Sequence, residues 1–164
     1  MEKAVIQNAI VYASQRQLLL AERLGFGIHG IIYVAEGKSA GGRSAVKAHR
    51  EIEPYRRELS VYRRLQETNV SEILGLNIPQ FIHSDQELRV IEMSIVTRPF
   101  VLDFAGAYLD ERPAFQDEIW ADWEAQKRDQ FEERWPKVKA VLAALEGLDI
   151  YMIDVSPTNI AFRD

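Results

Sequence analysis

The stretch Leu24–Gly37, LGFGIHGIIYVAEG, holds a G-x-G-x-x-G pattern at Gly25, Gly27 and Gly30. Glycines at that spacing let backbone N–H groups approach an anion with no Cβ in the way. In a dinucleotide-binding fold the loop must open a helix, whose N-terminus then holds the pyrophosphate. Here Gly30 runs into Ile31, Ile32, Tyr33 and Val34, consecutive β-branched or aromatic residues that favour a strand. The dinucleotide reading loses its context. Gly37–Lys38–Ser39 fails as a P-loop as well, because that pattern needs a glycine where Ile32 stands.

The flanking residues extend the strand reading. QLLLAERLGFG enters the glycine loop and GIIYVAEG leaves it; Gly41–Gly42 marks a hairpin turn into a third strand, SAVKAHR. Residues 2–16 form a short helix with Val5, Ala9, Ile10 and Ala13 near one face. A second helix runs from Tyr55 to Gln66, after the Glu53–Pro54 break. PQFIHSDQELRVIEMSIV supplies two more strands around the turn Ser84–Glu87. Thr97–Arg98–Pro99 crosses into a mainly helical half, with helices over 114–134 and from Pro136 to a stop at Gly147. The chain closes in a strand-like and loop-like tail.

Composition narrows the function classes. The chain has 164 residues, 47% hydrophobic and 27% charged, as expected of a globular protein of one domain or two small lobes. Its net charge of −5 argues against nucleic acid as a partner, and the pairs Arg56–Arg57 and Arg63–Arg64 read as the wet side of a helix. No cysteine is present, so disulfides, thiolate metal sites and cysteine nucleophiles are excluded. His29, His49 and His83 have no metal-ligand spacing. No signal pattern and no apolar run near the roughly 20 residues of a membrane span is found, so no membrane partner and a cytoplasmic location are expected.

Five stretches in order, LGFGIHGIIYV, SAVKAH, YRRELSVYRRL, LRVIEMS and IDVSPTNIAF, resemble the protein-kinase-like superfamily, in a minimal or atypical form. The resemblance implies an α+β, kinase-like fold. Residues 1–97 would be an N-lobe, a small antiparallel β-sheet with one helix; residues 98–164 would be a reduced α-helical C-lobe. It further implies ATP and Mg²⁺, with Gly25, Gly27 and Gly30 over the phosphates. Lys47 would pair with the α- and β-phosphates and be held by a helix carboxylate. Of the candidates, Glu58 shares helical spacing with Tyr55, Tyr62 and Leu65, so it projects from the buried stripe, where a carboxylate is costly unless paired. By the same resemblance Asp154 accepts the proton of a substrate hydroxyl and Asn159 holds a metal. The backbones of Glu92 and Ser94 face adenine, with Ile91 controlling depth.

Three positions depart from the pattern. Met152–Ile153 replaces the usual His-Arg or His-Gly before the loop aspartate, and Ser156 stands where many protein kinases carry a phosphate-directed lysine. The second metal aspartate, in D-F-G, is expected about a dozen residues after the asparagine. The sequence stops five residues after Asn159, leaving Asp164 as the stand-in ligand. Two functions follow: an ATP-dependent phosphotransferase acting on an unknown hydroxyl, or a non-catalytic, pseudokinase-like module that binds a protein partner.

Overall fold

The β-branched run after Gly30 does form a strand. β1 (Leu18–Phe26), β2 (Gly30–Gly37) and β3 (Arg43–His49) pair antiparallel in succession. The computed structural model describes residues 2–38 and 42–163. The Gly41 half of the expected hairpin turn therefore lies outside the described residues, while Gly42 accepts a hydrogen bond from the Gly37 N–H at 2.8 Å.

The helices α1 (Glu2–Gln15) and α2 (Ile52–Glu67) form as expected, but α1 buries Val5, Ala9, Tyr12 and Ala13 while Ile10, expected on that face, is exposed. α2 begins one turn earlier than expected, so Pro54 falls within its first turn, where its missing N–H is no loss. Short strands β4 (Glu72–Ile73) and β5 (Leu76–Asn77) come next, then β6 (Phe81–Asp85) and β7 (Val90–Met93). β7 pairs with β3 and β6 with β7, giving an antiparallel five-stranded sheet in the order β1-β2-β3-β7-β6. Strand alternation gives this sheet two working faces. Val46, Ala48 and Val90 pack under α1 with Val5, Ala9 and Tyr12. Ala45, Ile91 and Met93 pack with α2 residues Tyr55, Leu59 and Tyr62. Two helices therefore flank the sheet, α2 as the resemblance implies and α1, on the other face, as the sequence pattern over residues 2–16 implies.

Beyond β7 come β8 (Phe100–Val101), β9 (Ala107–Leu109), α3 (Asp117–Phe131) and a 3-10 turn over Glu132–Arg134. α4 (Trp135–Glu146), β10 (Ile150–Met152) and β11 (Ile160–Ala161) complete the chain. β9 pairs with β10; β11, β8, β5 and β4 form a small sheet. Gly147 is not a left-handed cap: its φ is −61°, and Asp149, at φ 58°, takes the left-handed turn instead. The molecule is α+β with mostly antiparallel sheets. One apolar core runs from Tyr55 and Met93 through Phe104 to Val141, Leu145 and Ile160, so packing is continuous across residue 97. Among the described residues no helix is long and apolar enough to cross a membrane.

Candidate functional site

The charged residues of β3 and α2 meet at the mouth of this core. Lys47 Nζ lies 2.8 Å from Glu58 Oε1 and 2.9 Å from Asp103 Oδ1. His49 Nε2 reaches the same Glu58 oxygen at 2.7 Å, and the Phe104 N–H donates to the other at 2.8 Å. Glu58 thus has both carboxylate oxygens engaged while fully buried, the condition for a charge to persist there. Burial alone would raise its pKa. The Lys47 charge, with the hydrogen bond and charge of His49, outweighs burial and holds it at about 2. Lys47 is pulled down by burial and, more strongly, up by Glu58 and Asp103 together, so its ammonium is held charged.

Asp103 was not among the expected site residues. It stands at the start of Asp103–Phe104–Ala105–Gly106, a D-F-x-G string that precedes the helices of the second half. Its backbone is left-handed, φ 69°, a conformation that Asp tolerates better than most residues. Phe104 anchors the string, edge-on to Tyr62 with ring centroids 5.5 Å apart. A search for the aspartate only after Asn159 passes over this string, although its composition was visible.

The string lies against the Asp154–Asn159 loop. β8 and β11 pair Val101 with Ile160, and the Leu102 N–H donates to the Asn159 carbonyl at 2.9 Å. A Cβ on Gly106 would sit 3.0 Å from the Asp154 Cβ, so any larger residue there would press Asp154 aside by a few tenths of an ångström. The loop is internally tied. Asn159 accepts from the Ser156 N–H at 2.8 Å and donates from Nδ2 to the Asp154 carbonyl at 2.8 Å. Asn159 is therefore first a loop clamp; a metal would take the remaining lone pair of its Oδ1. From α3, Lys127 Nζ donates to the Val155 carbonyl at 2.7 Å, and Trp123 Nε1 to the Ile153 carbonyl at 3.0 Å. Burial lowers the Lys127 pKa, opposed in part by the Asp154 charge. Asp154 itself keeps its side chain 62% exposed.

A cleft of about 360 Å³ opens over Lys47, Glu58 and Asp103. Leu24, Ile32, Ala45 and Met93 make its apolar wall, and Thr158 of the loop closes one end. Of the two expected adenine contacts, Ser94 lines the cleft and Glu92 does not. Glu92 is flanked by Val46 on β3 and His83 on β6, so its backbone lies inside the sheet. Its side chain faces α1, accepting from Tyr12 and Ser44. The Ser94 N–H is committed to the Gln80 carbonyl at 2.9 Å. Met93 lines the cleft where Ile91 was expected, because Ile91 packs wholly into the core. The lining strip is Met93–Val96.

The three glycines differ. A Cβ on Gly30 would meet the Ala48 carbonyl oxygen at 2.0 Å, so sheet packing demands this glycine. Gly27 has open space around it, and Gly25 would make only an ordinary contact with Ile32. Asp164 lies outside the described residues. Among the described residues no three His, Cys, Asp or Glu side chains converge as a metal cage. No protein-family model, curated protein or solved structure matches the chain.

Proposed function

We propose that the chain is a kinase-like phosphotransferase that binds ATP with Mg²⁺ in this cleft and moves the γ-phosphoryl to a hydroxyl acceptor. The observation that carries this reading is Lys47, buried and bridging Glu58 and Asp103 at 2.8 and 2.9 Å. An ammonium has three donors. Two are held by the carboxylates, which leaves the third for a phosphate oxygen. The apolar wall of Leu24, Ile32, Ala45 and Met93 suits an adenine face.

Asp103 supplies the group whose lack favours a non-catalytic module. In this reading the motif order is permuted: D-F-A-G comes before the D-x-x-x-x-N loop, and the β8–β11 pairing restores their adjacency. The Asp103 carboxylate and the Asn159 amide oxygen are hard oxygen donors, a set that fits Mg²⁺, which completes its shell with water and phosphate oxygens. Bound there, the ion would neutralise charge on the phosphoryl group. Lys47 orients the phosphates, Gly106 leaves space for Asp154, and the exposed Asp154 carboxylate takes the acceptor's proton and passes it to solvent.

The test uses labelled ATP and Mg²⁺ with purified protein, scored for ATP hydrolysis, self-phosphorylation and transfer to a panel of small alcohols. Asp154→Ala is expected to lower transfer by about 10²–10⁴-fold, the usual worth of general-base assistance. Nucleotide affinity should hold. An Asp154→Ala protein equal to wild type in every channel would overturn the catalytic role and favour the binding-module reading.

A further inference from the structure

The tip of the glycine hairpin is tied down. The Gly27 N–H donates to the Gly30 carbonyl at 3.0 Å, and Arg50 holds the tip by its own N–H to the His29 carbonyl at 2.9 Å. Arg50 Nε adds a bond to the Gly27 carbonyl at 3.3 Å, and its guanidinium lies 4.8 Å from the centre of the Phe26 ring. This tip carries Ile28, 80% exposed, and His29, whose Nε2 lies 3.8 Å from Asp154 Oδ2.

At 3.8 Å the two side chains do not hydrogen-bond. The gap is still short enough for an acceptor oxygen to stand about 2.8 Å from Asp154 while a neighbouring phosphoryl oxygen stands about 2.8 Å from His29. Asp154 faces that gap from the loop and His29 from the hairpin. The loop offers no cation there: Ser156 stands at the position where the resemblance expects a lysine, and Lys127 is committed to the Val155 carbonyl behind the loop.

We propose that His29 is a catalytic residue that donates from Nε2 to a non-bridging oxygen of the phosphoryl group in flight, in place of the missing loop lysine. The proposal rests on the phosphotransfer reading and assigns its transition-state donor. In the step, the acceptor's O–H proton passes to Asp154 Oδ2 and the acceptor oxygen bonds to the γ-phosphorus. The bond from that phosphorus to the β–γ bridging oxygen breaks, and its electron pair leaves on the nucleoside diphosphate. His29 keeps its proton throughout and steadies the oxygens whose charge must not escape to water.

The experiment compares wild type, His29→Ala and His29→Gln with labelled ATP and Mg²⁺ over the same three channels, alongside ATP titrations followed by melting. The tip's hydrogen bonds are made by backbone groups of His29, so they survive substitution. His29→Ala should lower turnover about 10²-fold, the scale of one preorganised donor. ATP affinity should stay within about twofold, since the donor acts in the transition state and not on the bound ground state. His29→Gln, which restores a donor, should recover part of the rate. A wild-type rate in His29→Ala, or affinity falling in step with rate, would overturn the proposal. A wild type that binds ATP but transfers to no acceptor would remove both the His29 role and the phosphotransfer step, leaving nucleotide binding. A wild type that fails to bind ATP would end the underlying reading itself.

Discussion

Glu58 and Glu92 are both buried carboxylates, set on opposite faces of one sheet. Glu58 accepts from Lys47, His49 and the Phe104 N–H, and its partner Lys47 continues to Asp103, whose side chain is 34% exposed at the cleft. Glu92 accepts from Tyr12 on α1, from Arg16 just beyond it and from Ser44 on β3. The cluster around Glu92 joins a helix to a sheet; that around Glu58 ends at a cleft. Burial of polar groups alone does not mark a working site. What marks it is a charge left facing a cavity after the internal partners are satisfied.

The largest effect should come from Glu58→Ala, which strands Lys47 and His49 in the core. Breaking a buried pair in this way costs about 3–5 kcal/mol, to be read by urea denaturation. Acid should then separate the two clusters. The Glu58 pKa is held down from the ordinary 4.5 to about 2, so its stabilisation is complete above 4.5 and is lost as pH falls through 2. That shift is worth on the order of 3 kcal/mol across the window. Glu58→Gln should flatten the slope of stability with pH between 4.5 and 2, and an unchanged slope would show that another group carries it.

Glu92→Ala should cost less, about 1–3 kcal/mol, because Arg16 is 38% exposed and can turn its charge to water. A cost equal to that of Glu58→Ala would erase the distinction between the faces. Smallest in stability is Asp103→Asn, which keeps a polar side chain beside Lys47 and should stay within about 1 kcal/mol. Its effect belongs to function: Mg²⁺ should no longer strengthen ATP binding, and transfer should fall about 10²–10³-fold.

Much of this site was legible in the chain. The resemblance supplied Lys47 and its need of a helix carboxylate, and helical spacing, a local rule, picked Glu58. The loop Asp154–Asn159 was legible through its D-x-x-x-x-N spacing, which rests on the same resemblance. Asp103 was not reached, since its place beside Lys47 depends on β8 pairing with β11, a contact between distant segments. His49 read as a lone histidine, and its role appears only once α2 lies beneath β3. Glu92 went the other way: its type and position fitted a cleft edge, but α1 covers that face. The β-branched run after Gly30 is the strand its residue types imply, and Gly30 itself serves the packing against Ala48.

The most direct test is the melting temperature of the wild type with and without ATP and Mg²⁺, beside Lys47→Met, Asp103→Asn and Glu92→Gln. A ligand at a hundredfold excess over its Kd stabilises by about 2.7 kcal/mol, roughly 5–10 °C for a chain of this size. The shift should be full in wild type and Glu92→Gln, reduced in Lys47→Met, and insensitive to Mg²⁺ in Asp103→Asn. No shift in the wild type at millimolar ATP would contradict a nucleotide site at Lys47, Glu58 and Asp103.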